Sequence, residues 1–366
     1  MSINVTKSTL PPFEMYIEEI RSIWDSHWLT NNGEKVILLE NELSKLFSVP
    51  YVALFSNGHT ALEAVLRSMN LKGEVITTPF TFISTTHAIK RCNLTPVFGD
   101  VREDNGTLDA TKVEKLITDK TCAILPVHVY GNLCDVEAFD KLSKKYNIPV
   151  IYDAAHAFNV TLNKHSVATM GMASMFSFHA TKVFNTIEGG AIATNSKELY
   201  NALTLERNFG ITGPETVVSI GGNAKMNEFQ AAMGLCNLKS LDDNIKERKE
   251  ICKQYTDLLS GCDLLTLPTY EKNINANYAY YPIRFKNGIK ARDFAFNSLG
   301  NSNINTRKYF YPLSSDFDCY SKEAENSNTP IAKVWANSVL TLPLYTGLSK
   351  EEVTLICNTL LTRGLL

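Results

Sequence analysis

Lys182 stands at the end of Ser174-Met175-Phe176-Ser177-Phe178-His179-Ala180-Thr181-Lys182, which leads into Glu188-Gly189-Gly190-Ala191-Ile192-Ala193-Thr194. The apolar runs 173–178 and 191–194 predict two short buried strands with the lysine on the loop between them. The Gly189-Gly190 pair lets the backbone pass close to something bulky. An amine held there can lose its proton to desolvation and attack a carbonyl, the first requirement of Schiff-base chemistry. Most of the 36 Lys plus Arg residues serve solubility, so partners elsewhere must single this one out.

Two other features fall where strands run out into loops, the place where open α/β sheets bind ligands. Gly58-His59-Thr60 follows the apolar run Tyr51–Phe55 and opens a helix, whose free N–H groups and dipole suit a phosphate. Asp153, closing Pro149-Val150-Ile151-Tyr152, is either a helix cap or a buried anion awaiting a cation. With Ser177 and Lys182 these residues meet the needs of pyridoxal phosphate: a lysine, a carboxylate for the ring nitrogen and a phosphate cup. Phe82, in Thr78-Pro79-Phe80-Thr81-Phe82, follows a strand at a suitable place to cover the ring.

The elements around these residues alternate. Strands are predicted at 74–78, 95–98, 122–127 and 149–152, with helical patterns at 83–91, 110–117 and 136–146. That alternation implies an α/β fold with a largely parallel sheet. Upstream, Pro11-Pro12 opens a helix through Phe13, Ile17, Ile20 and Trp24. A second helix runs through Val36, Leu39, Leu43 and Phe47. Downstream, a helix is expected at 197–208, followed by glycine-rich Ser219-Ile220-Gly221-Gly222-Asn223. A long helical pattern then runs from Met226 towards Leu259, and the domain hinge is placed within it. Residues 1–249 form the large cofactor-binding domain. Residues 250–366 form a small C-terminal α/β domain with a strand at 279–285 and a last helix at 350–361.

The 366 residues can bury a sizeable core without staples. A formal net charge of -2 gives no sign of a nucleic-acid or membrane surface. No apolar run approaches a membrane span, and Met1-Ser2-Ile3-Asn4-Val5 lacks the regions of a signal peptide. The eight cysteines show neither a CxxC pair nor zinc spacing, which points to free thiols in a reducing cytoplasm. No metal is expected. The histidines 87, 128 and 165 have no partner at metal spacing.

Asp153-Ala154-Ala155-His156, Ser177-Phe178-His179-Ala180-Thr181-Lys182 and Glu188-Gly189-Gly190 resemble stretches of the DegT/DnrJ/EryC1/StrS sugar aminotransferases. The likeness runs from His27-Trp28-Leu29-Thr30 to Leu342-Pro343-Leu344-Tyr345. It implies fold type I of the pyridoxal-phosphate enzymes and a cytoplasmic homodimer with shared active sites. It also implies transfer of an amino group from L-glutamate, which leaves as 2-oxoglutarate, to a nucleotide-linked keto sugar. By position, Lys182 matches the cofactor-linking lysine, Asp153 the partner of the pyridine nitrogen, His156 the neighbour of the phenolic oxygen and Phe82 the stacking aromatic. Gly58, His59, Thr60 and Ser177 match the phosphate cup, where His59 replaces the usual threonine.

Asn223 and Lys225 match a segment that crosses to the partner's site. Trp28, Thr30, Glu188, Arg307, Tyr309 and Tyr311 match positions near the sugar. The His179 loop with Glu188-Gly189 is similar to members that aminate C4. That implies dTDP-4-keto-6-deoxyglucose as substrate and a role in O-antigen or lipopolysaccharide biosynthesis. A C3-specific enzyme and a non-catalytic sensor of the same fold are the alternatives; the dehydratase branch replaces the lysine by histidine.

Overall fold

Seven short strands carry the site. They are β1 (Tyr51–Phe55), β2 (Glu74–Thr77), β3 (Thr95–Phe98), β4 (Thr121–Ile124), β5 (Ile151–Asp153), β6 (Ala173–Ser177) and β7 (Gly190–Thr194). The structure, a computed structural model, describes residues 2–325 and 327–365. Hydrogen-bonded ladders give the orders β3-β2-β4 and β5-β6-β7-β1. Parallel bridges Ile124–Val150 and Val127–Asp153 join the two sets beyond the end of β4. The combined sheet reads β3-β2-β4-β5-β6-β7-β1, and only β7 runs antiparallel to its neighbours.

That single reversal matters to function. The carboxyl ends of six strands and the amino end of β7 meet at one edge, so Glu188 to Gly190 arrive beside Asp153 and Ser177. Gly190 faces Phe55 in the β1–β7 register. A Cβ on Gly190 would lie 2.6 Å from the Gly58 backbone, so only glycine lets β7 and the following helix start approach so closely.

The strands are apolar on both faces because helices cover both faces. One layer holds α1 (Phe13–Ser26), α2 (Glu34–Phe47) and parts of the C-terminal third; Leu39, Leu43 and Phe47 pack with Phe158, Phe176 and Phe178. The other holds α3 (Gly58–Ser68), α4 (Ile83–Arg91) and α6 (Lys197–Glu206), with α5 (Val136–Tyr146) beyond them. Asn57 caps α3 by accepting from Thr60 N–H at 2.9 Å, and Asp135 and Ser196 cap α5 and α6 in the same way.

The long helix expected after Met226 is two helices, α7 (Glu228–Leu238) and α8 (Leu241–Leu259). The apolar periodicity continues across Lys239-Ser240, which hides the break. Asn227 and Gln230 start α7 with a capping box, and Asp242 and Asp243 at the start of α8 favour a fresh N-terminus. The strand expected at 279–285 begins at Tyr281. It is the middle of an antiparallel sheet, β8 (Leu265–Thr266), β9 (Tyr281–Phe285) and β10 (Val339–Leu342).

This C-terminal sheet packs with α8, α9 (Gly288–Asn301) and α11 (Lys350–Arg363) around Tyr255, Tyr281, Ile283 and Ile356. Helix α10 (Pro330–Ser338) joins the other core through Trp335. Leu241 belongs to the large core and Ile251 onward to the C-terminal one, so α8 serves both. The first residues return to the C-terminal layer too: Ile3 bridges to Ile304, and Leu344 N–H donates to Val5 O at 3.1 Å.

Candidate active site

A cavity of about 330 Å³ opens at the shared strand edge. Its lining includes Gly58, His59, Phe82, Asp153, His156, Ser177, Lys182, Glu188 and Tyr309, nine residues singled out from the sequence. Asp153 is buried at the end of β5. Its Oδ2 accepts from Thr85 Oγ1 at 2.7 Å and its Oδ1 from Ala155 N–H at 3.1 Å. Burial pushes the carboxyl above its ordinary value, while these two donors and the Lys182 amine pull it back towards the charged form. Asp153 is therefore a buried anion as well as a local cap.

Lys182 is half-buried on the turn after β6. Burial pushes its amine down to about 8, opposed by the charges of Asp153 and Tyr309. Its Nζ lies 6.0 Å from the centre of the Tyr280 ring. One consequence can be measured on the cofactor-free chain. Its capture of pyridoxal phosphate, followed as growth of a visible band, is expected to quicken with pH around a midpoint near 8. Asp153→Asn should move that midpoint lower, because it removes the charge that favours the ammonium. A midpoint near the ordinary lysine value in both proteins would show an exposed amine.

His156 is buried, and burial, with the nearby Lys182 amine, holds its pKa well below the ordinary value. Nδ1 accepts from Tyr130 N–H at 3.0 Å, so the single ring proton resides on Nε2. Tyr130 reaches this position in a left-handed conformation with φ of 59°, and its hydroxyl donates to the Tyr309 carbonyl. Phe310 stacks near-parallel to the His156 ring, and Asn277 ties the His156 and Phe158 carbonyls at 2.9 Å each. The imidazole is thus fixed in tautomer and tilt.

Phe82, 57% exposed at the start of α4, lies on the cavity wall as an aromatic face with no core to fill. At the far end, the α3 N-terminus and Ser177 form the cup. A Cβ on Gly58 would lie 2.9 Å from Ser177 Cβ, so the glycine keeps that cradle open. Thr60 turns its hydroxyl back to the Asn57 carbonyl at 3.0 Å, and it does not line the cavity. At the mouth, His179 Nε2 and the Glu188 carboxylate stand 3.5 Å apart.

The remaining expected residues lie outside this cavity. Trp28 and Thr30 are exposed, Trp28 beside Gly33 and Glu228 in a separate cleft. Lys225 donates to Asn223 Oδ1 at 2.8 Å, sits over the Phe209 ring and lines another pocket with Arg207 and Tyr200. The buried Glu228 does not pair with it; its carboxylate caps α2 through Lys35 and Val36 N–H at 2.7 and 3.2 Å. Arg307 stacks over Tyr309 from outside, and Tyr311 lies against Arg292.

Thr85, Ser84 and Tyr280 line the cavity without having been foreseen, whereas His179 lies on the loop read above as typical of C4 amination and Phe310 sits between the expected Tyr309 and Tyr311. Ser84-Thr85-Thr86, three weak helix formers together at the start of a helix, was a usable signal for the first two. Nothing in Tyr278-Ala279-Tyr280-Tyr281 marks Tyr280 apart from its neighbours. Among the described residues no group of three His, Cys, Asp or Glu could hold a metal ion, and all eight cysteines are free thiols. No helix among those residues is long and apolar enough to cross a membrane.

A buried carboxylate, an amine with lowered proton affinity, a locked neutral imidazole and a helix-end cup around one flat-walled cavity fit pyridoxal phosphate. Set at the edge of a sheet with one reversed strand, they define a fold type I aminotransferase. The chain belongs to the DegT/DnrJ/EryC1/StrS aminotransferase family, whose model matches residues 14–361. It is 39% identical over 359 residues to a dTDP-4-amino-4,6-dideoxy-D-glucose transaminase of Shigella dysenteriae, covering 98% of each chain. It is 40% identical over 364 residues to the Escherichia coli protein of the same name, again covering 98% of each. Among solved structures, DesI in the presence of its TDP-sugar product superposes with a TM-score of 0.93 at 28% identity. That match covers 98% of this chain and 92% of the other. The chain is a pyridoxal-phosphate-dependent aminotransferase of nucleotide-linked keto sugars.

Proposed function

We propose that the chain converts dTDP-4-keto-6-deoxyglucose to the 4-amino-4,6-dideoxy sugar with L-glutamate as donor. The observation that carries the reading is the Lys182 amine held near Asp153 in a cavity that ends at the α3 N-terminus. The choice of sugar rests on the relatives of 39% and 40% identity. Bound pyridoxal phosphate supplies the electron sink that lets a proton leave the carbon beside the amino group. Lys182 would be the base that takes that proton and hands it back on the far side of the nitrogen, a 1,3-shift. Asp153 keeps the ring nitrogen protonated, and His156 offers Nε2–H to the phenolic oxygen. Phe82 would cover one ring face, and Ser177 with the backbone N–H groups of Gly58 and His59 would take the phosphate. Glu188 and Tyr309, both on the cavity wall, would face the sugar, with Arg307 behind the Tyr309 ring. Incubation with the keto sugar and glutamate, read by mass and by proton couplings at C4, tests the assignment; an amine at C3 would overturn it.

The active unit in this reading is a cytoplasmic homodimer, with a place in O-antigen or lipopolysaccharide biosynthesis. The chain divides at 249/250, within α8. Phe13, Trp24, Val217 and the 97% exposed Ile220 are large apolar side chains left in solvent by one chain, which supports a buried partner face. Trp28, Thr30, Asn223, Lys225 and Tyr311 then serve the neighbour's cavity. Mixing inactive Lys182→Ala subunits with inactive Lys225→Glu subunits should recover about a quarter of wild-type activity. Half of randomly exchanged dimers are mixed, and each of those carries one intact site. No recovery, with exchange verified, would place Lys225 outside the partner's site.

A further inference from the structure

At the cup end of the cavity, His59 is hydrogen-bonded to two residues that the cofactor reading does not use, Ser84 and Glu63. His59 Nδ1 lies 2.8 Å from Ser84 Oγ, and His59 Nε2 lies 3.0 Å from Glu63 Oε1. Glu63 is 6% exposed, and it also accepts from Arg67 Nη2 at 3.0 Å and from Arg91 Nε. Both His59 and Ser84 line the cavity beside Gly58 and Ser177. The order serine, imidazole, buried carboxylate spans α3 and α4, since His59 and Glu63 are one turn apart and Ser84 sits on the neighbouring helix.

Hydrogen-bond inventory then decides what Ser84 can offer. A carboxylate on Nε2 requires a proton there. With a neutral ring, Nδ1 is an acceptor and takes the Ser84 O–H, which leaves only lone pairs facing the cup. With a protonated ring, Nδ1 donates to Ser84 Oγ, and the hydroxyl proton is released to face an anion. We propose that Ser84 is a further ligand of the cofactor phosphate, and that His59, held by Glu63, sets the direction of its proton. The inference rests on the pyridoxal-phosphate reading and deepens it. Ser84 is a binding residue and His59 a positioning residue.

The charged and titratable groups around His59 are Glu63 and Arg67 on α3, His87 and Arg91 on α4, and Asp153, His156, Lys182, His179 and Glu188 across the cavity. The experiment uses the holoenzyme in its pyridoxamine-phosphate form, which has no covalent link to Lys182. Release of pyridoxamine phosphate on dilution is followed by its fluorescence for wild type, His59→Gln, Ser84→Ala, the double variant and Ser84→Thr, which keeps the hydroxyl.

The wild type should hold the cofactor about 10-fold longer than either single variant, the size of one hydrogen bond to a charged group. The double variant should be no worse than the single ones, and Ser84→Thr should hold the cofactor nearly as long as the wild type. Single effects that multiply in the double variant, or a Ser84→Thr protein no better than Ser84→Ala, would overturn this inference and leave the functional reading standing. A wild-type chain that retains no pyridoxamine phosphate would overturn both.

Discussion

Lys182→Ala is expected to purify without a visible absorption band and to turn over at least about 10⁴-fold more slowly, since it loses both the cofactor link and the proton-transfer base. Two further observations separate this from misfolding. The wild-type amine sits where burial pushes its proton affinity down to about 8, which means the folded chain disfavours the ammonium. The sign follows: below about pH 8 that lysine costs the cofactor-free fold stability, and the cost fades as pH rises and the folded and unfolded amines both become neutral. Removing it should leave the cofactor-free Tm at neutral pH no lower than the wild type's, despite the lost stem packing. Small amines added to the medium should recover part of the turnover. Full activity in the variant, or a Tm drop that accounts for the loss, would remove Lys182 from its role.

Five of the residues legible in the sequence lie where strands run out. Asp153 and Ser177 close β5 and β6, Gly58 opens the helix after β1, and Lys182 and Glu188 lie on the loop that turns β6 into β7. Strand ends can be read from short apolar runs, and the sheet edge gathers them without further information. Thr85 and Ser84 sit inside the first turn of a helix, and they touch Asp153 and His59 only because α4 crosses the sheet towards α3. Their partners are 68 and 25 residues away, beyond what local spacing can indicate.

Trp28, Thr30, Asn223 and Lys225 illustrate a different limit. The family likeness sends Asn223 and Lys225 to the partner's site and Trp28 and Thr30 towards the sugar, but it says nothing of where these residues lie in one chain. In one chain they lie on the outer face with Phe13, Trp24 and Ile220, away from the cavity. The break between α7 and α8 was hidden for a third reason: the apolar pattern is continuous because both helices pack on the same core, so only the caps reveal two helices.

Asp153→Asn carries the second large effect, and it tests whether the aspartate is more than a cap. The amide keeps the shape of the carboxylate: its oxygen can still accept from Ala155 N–H, and its NH2 can donate to Thr85 Oγ1 once that hydroxyl rotates, so the end of β5 should hold. What changes is charge: a neutral amide does not keep a ring nitrogen protonated, and the electron sink weakens. Turnover should fall about 10³-fold, in the range seen when a preorganised charge partner is removed from an active site. Cofactor binding should fall far less, because Phe82, Ser177 and the α3 N-terminus still hold the group. Thr85→Val supplies the graded comparison. It removes one hydrogen bond that favours the charged carboxylate, so Asp153 should shift further upward and turnover should fall by about 10-fold. Titrating each variant with pyridoxal phosphate and then measuring turnover per bound cofactor gives the answer. If activity per bound cofactor stays at the wild-type value in Asp153→Asn, the residue is a structural cap and the ring nitrogen has another partner.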